Sequence, residues 1–178
     1  MKLNLGCGGK RVQGYVGVDK YLTPAVDVRA DLAETLPFES NSADEILLDN
    51  VIEHVMDIPA LMREMHRVCR DGAIVRILTP HFTSLSSWRD PTHVHHLSYF
   101  SLDHFTREQV AHYTSAGHRF EILERKLSFG GLMGNLGRLI FMLSPASYER
   151  NWCFIFRAST LSFVLKVVKR AIPGNSGG

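Results

Sequence analysis

Cysteine is scarce in this chain, with Cys7, Cys69 and Cys153 the only three among 178 residues. An odd number without CxxC spacing argues against a disulfide framework and a cysteine metal centre, and free thiols suit a reducing compartment, so a cytoplasmic location is expected. Net charge is small: twenty Lys and Arg against eighteen Asp and Glu leave +2. Without a clustered basic face, that balance gives no reason to expect a nucleic-acid partner. Long apolar runs are missing as well. "MKLNLGCGG" turns polar before the core of a signal peptide could form, and "NWCFIFRASTLSFVLKVVKR" is broken by Arg157 and Lys166 short of the roughly 20 apolar residues of a membrane span. Peripheral membrane contact stays open. Internal repeats are lacking, and the tail "PGNSGG" is the one low-complexity stretch.

What is present is an alternation of apolar runs and turn signals, which predicts a mostly parallel sheet in an α/β domain. The length suits one domain over residues 1–178. Strands are expected at Lys2 to Leu5, Tyr15 to Asp19, Val26 to Arg29, Glu45 to Asp49, Ala73 to Thr79, Arg119 to Phe129 and Thr160 to Lys169. "DIPALMREMHRVCRDG" reads as a helix with Asp57 as N-cap, Pro59 in the first turn, and Gly72 as terminator. Met62 and Met65 then face the core. A second helix is expected in "SLDHFTREQVAHYTSAG". Residues 130–158 between the last two strands are too long and apolar for a hairpin turn, and form an insertion.

The first strand runs straight into Gly6 and Gly8, which allow positive φ and let a ligand lie against the backbone. A dinucleotide fingerprint would place a third glycine where Arg11 stands, which counts against a nicotinamide-dependent oxidoreductase. The second strand follows so soon that its return must be extended or at most one helical turn. It closes on "GVDK", which puts Asp19 at the carboxyl edge of the sheet, where open α/β folds bind ligands. A carboxylate there can accept hydrogen bonds from both hydroxyls of a ribose.

Four stretches, "LNLGCGG", "GVDKY", "ADLAETLPFESNSADEILLDNVIEHV" and "LMREMHRVCRDGAIVRILTP", together resemble class I S-adenosylmethionine-dependent methyltransferases, in the type 11-like branch that methylates small molecules or sugars. The resemblance implies a Rossmann-like sheet of order 3-2-1-4-5-7-6 with strand 7 antiparallel. It implies that Gly6, Cys7 and Gly8 lie against the methionine part of the cofactor, Asp19 on its ribose, Lys20 beside the adenine, Asp31 and the Leu32 amide on the adenine edge, and Asn50 by the methionine end. The chain departs from the family in lacking a helix before strand 1 and a full helix after it, so a cleft wall would come from the insertion or a second subunit. Glu53 and His54 in "VIEHV" match a frequent family signature, yet an acidic residue at a helix start is also what the helix dipole favours, and they are read as structural. Cys7 is read as a small apolar packing residue rather than a nucleophile.

The loop "TPHFTSLSSWRDPTHVHHLSYF" gathers His81, Asp90, His93, His95 and His96 at the ligand edge. Methyl transfer from a sulfonium needs an aligned acceptor and, for a hydroxyl, a proton acceptor, and histidine titrates near working pH. His93 is the first choice for that role, with Asp90 fixing its tautomer, and His81 the second. His93 and His95 could share a face with His81 or Asp90 as metal ligands, but no strict ligand motif accompanies them and no metal is assigned. In the insertion, Leu132, Leu139, Phe141, Trp152, Phe154 and Phe156 are expected to pack on the sheet; a lid, a homodimer surface and a membrane patch are the alternatives. The expected function is therefore a methyltransferase using S-adenosylmethionine on the oxygen of a sugar, glycan or other small hydroxylated acceptor. A non-catalytic cofactor-binding module or partner subunit is the alternative.

Overall fold

The structure, a computed structural model, describes residues 1–106 and 119–169. Seven strands form one sheet: β1 (Lys2–Leu5), β2 (Val16–Asp19), β3 (Val28–Arg29), β4 (Ala43–Asp49), β5 (Cys69–Pro80), β6 (Arg119–Phe129) and β7 (Ala158–Val168). Their order is β3-β2-β1-β4-β5-β7-β6. The first five strands run parallel, and β7 lies antiparallel to both β5 and β6. The strand order and the reversed β7 are those the resemblance implies. Between β1 and β2 the chain makes only turns, without a helix.

β1 and β2 are short central strands of four residues, and each leaves the sheet at its carboxyl end into a turn. Leu3, Leu5, Val18, Ile46, Leu48, Val75 and Ile77 are fully or almost fully buried, and with Leu161, Phe163 and Leu165 they form the core of the sheet. Helix α1 (Ile58–Val68) covers one face. Its N-terminus is capped by Asp57, whose Oδ1 accepts from the Ala60 N–H at 2.8 Å, with Pro59 in the first turn. Leu61, Met62, Met65 and Val68 point into the core, so the methionines serve as packing.

The helix ends earlier than Gly72, and β5 begins at once with Cys69. The cause lies across the chain. The Asn41 and Ser42 N–H groups donate to the carbonyls of Arg67 and Val68, so the last helical acceptors need no glycine cap. Of the helix expected within residues 101–117, the described part is a 3-10 turn (Ser101–Phe105), and residues 107–117 of that expectation lie outside the described residues.

The insertion contains helix α3 (Gly131–Leu143), a single turn (Pro145–Ser147) and a π turn (Tyr148–Trp152), here following the short helix α2 (Leu85–Arg89) in chain order. Tyr148, Cys153 and Phe156 are buried in a small second core with Phe129 and Phe141, and the Tyr148 hydroxyl donates to the Phe156 carbonyl at 2.6 Å. The expectation that most apolar insertion residues pack on the sheet holds only for Phe156 and Phe141. Leu132 and Leu139 stand exposed because α3 leans on β6 with its glycines, Gly134 against Phe129 and Gly137 against Phe129 and Phe156, and turns these leucines outward; Trp152 and Phe154, beyond the helix, are exposed as well. Among the described residues no helix is long and apolar enough to cross a membrane. All three cysteines are free and buried, and burial pushes the Cys69 thiol up to about 12.

Candidate functional site

A cleft of about 500 Å³ opens at the carboxyl ends of β1, β2 and β4. Gly6 is the pivot at its base. Its φ of +65° is in the left-handed region, and a Cβ there would stand 2.7 Å from both Val51 methyls. Gly8, at φ +52°, donates its N–H to Asp19 Oδ2 at 2.8 Å, while the Tyr21 N–H reaches Asp19 Oδ1 at 2.9 Å. The glycine turn and the tip of β2 are thereby joined through one carboxylate. A carboxylate offers about four acceptor positions, so two remain on Asp19 beside the cleft. Lys10 closes the turn from the other side by an ion pair with Asp49 at the tip of β4.

Six of the eight residues expected at the cofactor border the cleft: Gly6, Asp19, Lys20, Asp31, Leu32 and Asn50. Asp31 is held by the Ala33 N–H at 3.0 Å, and Asn50 sits at φ +55° with its side chain donating to Asp49. Cys7 and Gly8 do not border it. Cys7 is 5% exposed and its Sγ lies toward the Ala25 carbonyl, so the side chain packs under β2; burial raises its thiol. Gly8 contributes through its bond to Asp19. The insertion lends no residue to the lining of this cleft, which comes from residues between Gly6 and Thr92.

A second, shallower cleft of about 550 Å³ adjoins the first. It is bordered by Glu53, His93, Asp90 and Arg89, and Asn50 and His54 belong to both. Here the structure redraws the expected acceptor site. His81 is fully buried, with Nδ1 2.7 Å from Thr83 Oγ1 and Nε2 3.1 Å from Glu149 Oε1. Both nitrogens are engaged away from the clefts, which makes His81 a tie between β5 and the insertion rather than a proton acceptor for a ligand. Asp90 does not orient His93 directly. Its Oδ1 accepts from the Thr92 amide and hydroxyl at 2.8 and 2.6 Å, bonds that hold its carboxyl below the usual range. His93 is oriented instead by the Ser87 carbonyl, 2.9 Å from Nδ1. His95 bonds the Met56 carbonyl and His96 stacks on Trp88, so neither joins His93 on a common ligand face.

Two residues read as structural enter the site. Glu53 and His54 lie on a 3-10 turn (Ile52–His54) just past β4. Glu53 is 1% exposed; its Oε2 accepts from Thr79 Oγ1 at 3.0 Å, and its Oε1 lies 4.0 Å from His93 Nε2. Burial drives its carboxyl above the ordinary value, against the pull of the Thr79 bond and the two histidines. The His54 ring meets that of His93 edge-on at 4.5 Å. The Glu53 carbonyl accepts from the N–H groups of Val94 and His95, which clamps the histidine loop onto the 3-10 turn.

Residues 11–77 match the sequence profile of a methyltransferase domain family. Among solved structures, the YcgJ protein from Bacillus subtilis superposes over 96% of this chain and 92% of its own, with a TM-score of 0.60 at 15% identity. The chain has the class I methyltransferase fold. An S-adenosylmethionine-dependent methyltransferase from Mesorhizobium loti gives 93% and 89% coverage with a TM-score of 0.59 at 15% identity, and one from Archaeoglobus fulgidus 93% and 85% with 0.59 at 17%. Comparison with curated proteins returns no match. At these identities the methyltransferase fold is what is shared, and the chemistry must be argued from the two clefts.

Proposed function

We propose that the protein is an S-adenosylmethionine-dependent methyltransferase that methylates a hydroxyl of a sugar, glycan or other small acceptor. The observation that carries this reading is the Gly8–Asp19 bond, which fastens a glycine turn and a strand-tip carboxylate into one cradle under an open cleft. The residues present fit the cofactor: a Cβ at Gly6 would meet Val51, and the cleft is of the size small ligands fill. Asp19 would hold the ribose hydroxyls with its two remaining acceptor positions, Asp31 and the Leu32 amide the adenine edge, and Gly6 and Asn50 the methionine end.

When bound, the cofactor supplies a methyl carbon already activated by its sulfonium. Transfer of that methyl to an acceptor oxygen would leave S-adenosylhomocysteine and release the hydroxyl proton, which would pass by way of the second cleft to solvent. What the protein must do is align that hydroxyl in line with the C–S bond and keep bulk water out. The second cleft adjoins the first at Asn50 and His54, which suits an acceptor site, and its mixture of Arg89, Asp90 and the imidazoles suits a polar, hydroxylated molecule better than an apolar one. The Glu53, His54 and His93 cluster is the group that prepares the hydroxyl for attack.

Calorimetric titration with S-adenosylhomocysteine should show one site per chain. Incubation with methyl-labelled cofactor and fractionated cell extract should give a labelled product whose mass identifies an O-methyl group, and His93→Ala should abolish it. Absence of binding by the folded protein would remove the proposal.

A further inference from the structure

Among the described residues one buried side-chain polar atom has no hydrogen-bond partner, Glu53 Oε1. An orphaned carboxylate oxygen in an apolar surrounding is costly unless something meets it. What faces it is a pair of imidazoles. Glu53, His54 and His93 each offer one ligand atom, all within 4.8 Å of one another.

The outer hydrogen bonds decide which nitrogens point inward. His93 Nδ1 lies 2.9 Å from the Ser87 carbonyl, which can only accept, so Nδ1 carries a hydrogen and in the neutral ring Nε2 has the lone pair. The Thr92 hydroxyl gives its hydrogen to Asp90 Oδ1, so at 2.9 Å it accepts from His54 Nδ1. The Thr92 carbonyl, 3.3 Å from the same nitrogen, is a second acceptor. His54 Nε2 therefore also keeps its lone pair. Metal-ligating histidines are held in this way, one ring N–H donated outward to a carbonyl or carboxylate and the other nitrogen left bare.

The geometry points to a binding site for a divalent transition ion of the zinc class, coordinated by Glu53 Oε1, His54 and His93. The distance between Glu53 Oε1 and His93 Nε2, 4.0 Å, is too long for a shared proton. Two ligand bonds of about 2.0–2.2 Å reach across it, and closing to a tetrahedral set requires the side chains to move inward by about an ångström. Two imidazoles and a carboxylate suit zinc, iron(II) or manganese, not calcium or magnesium. Three protein ligands leave a coordination position open, and the second cleft lies beside it. The function of such an ion rests on the methyl-transfer reading: an acceptor hydroxyl on the open position would be acidified, release its proton to solvent, and attack as the more nucleophilic oxygen.

The test uses the full chain without an affinity tag, stripped with chelator and titrated with cobalt(II), read by visible d–d absorption and by elemental analysis after dialysis. One cobalt per chain is expected. Glu53→Gln, which can keep the Thr79 bond, and His93→Ala should each weaken binding more than 10-fold; Thr92→Val, which removes the hydroxyl shared by His54 and Asp90 and leaves His54 the Thr92 carbonyl, should weaken it about 10-fold. His95→Ala should leave it unchanged. Sub-stoichiometric cobalt on a wild type that binds S-adenosylhomocysteine overturns the metal site and leaves the methyltransferase reading standing. Cobalt binding indifferent to Glu53→Gln, His93→Ala and Thr92→Val also overturns it. Stoichiometric cobalt without any S-adenosylhomocysteine binding keeps the metal site and counts against methyl transfer. Circular dichroism melting of each variant separates lost ligation from lost folding.

Discussion

Asp19→Asn isolates what the carboxylate does, because the side chain keeps its size and changes only its acceptors. In the protein Oδ2 accepts from Gly8 and Oδ1 from Tyr21, at 2.8 and 2.9 Å. An asparagine has one carbonyl oxygen and an NH₂ group, so it can serve only one of these N–H donors and sets its own donors against the other. Of the two positions that would remain for ribose hydroxyls, one is replaced by the NH₂ group and the other loses its negative charge. A hydrogen bond to a charged group contributes about 1.5–3 kcal/mol, so losing one to two of them costs about 3 kcal/mol of cofactor binding, or roughly 100-fold in Kd. Stability should fall by only about 1 kcal/mol, since Tyr21 is exposed and water can replace one lost backbone bond. Calorimetry with S-adenosylhomocysteine measures the first and denaturant unfolding the second. A Kd within threefold of wild type, with folding intact, would refute the ribose assignment. An equal loss for Glu39→Gln, an exposed carboxylate outside the cleft, would show that the effect is general charge rather than position.

Other perturbations separate structural from binding roles. Gly8→Ala at φ +52°, with nothing within 4 Å, should cost about 1–2 kcal/mol from the left-handed backbone alone, whereas Gly6→Ala adds overlap with Val51 and should cost about 2–4 kcal/mol. Equal costs by urea unfolding would refute the contact at Gly6. His81→Ala removes the imidazole between Thr83 and Glu149, which keep the bonds from the Ala158 and Tyr99 N–H groups, and should lower stability by about 2–3 kcal/mol while changing S-adenosylhomocysteine affinity less than twofold; a large affinity loss would return His81 to the site. At Glu45 burial raises the carboxyl but hydrogen bonds from Lys2, Arg76 and Tyr15 outweigh it and hold it at about 2. A depressed carboxylate contributes stability above its unfolded value and loses it as pH falls toward the folded one. The Glu45→Gln deficit, about 2 kcal/mol at pH 7 after discounting the half-exposed Lys2 and Arg76, should therefore shrink between about pH 4.5 and 2 in acid-titrated melts.

The sheet was legible because its signals are local and repeated. Apolar runs such as "LLD" and "AIVRIL" and the turn residues after them mark strands whatever they pair with, and the strands fall within a few residues of their expected limits. Asp19 was legible for the same reason, since a carboxylate at the end of a strand beside a glycine turn can only lie at one edge. The end of α1 was misread because its cap comes from Asn41 and Ser42, residues that no helix-stop rule inspects. The outward face of α3 was misread because a glycine at every third position of contact lets the backbone, not the large side chains, approach the sheet.

The cluster at Glu53 escaped for a deeper reason. Its members come from two segments that meet only because the Glu53 carbonyl accepts from Val94 and His95, and no periodicity encodes a bond between a turn and a distant loop. The histidine loop alone suggested a site made from its own members, and the sequence therefore grouped His93 with His95 and Asp90. The structure sends His95 to the Met56 carbonyl and Asp90 to Thr92, and gives His93 a partner from β4's exit turn instead. One signal could have pointed there. Glu53 sits in "NVIEHV", where apolar neighbours on both sides predict burial, and a carboxylate buried in such a run needs a partner that the run itself does not contain. Thr79, which takes one oxygen, answers half of that requirement. The other oxygen makes Glu53→Gln the decisive substitution. If Oε1 ligates nothing, the amide should leave cobalt affinity at the wild-type value, whereas a ligating oxygen should make the variant as stable as wild type and weaken its hold on cobalt more than 10-fold.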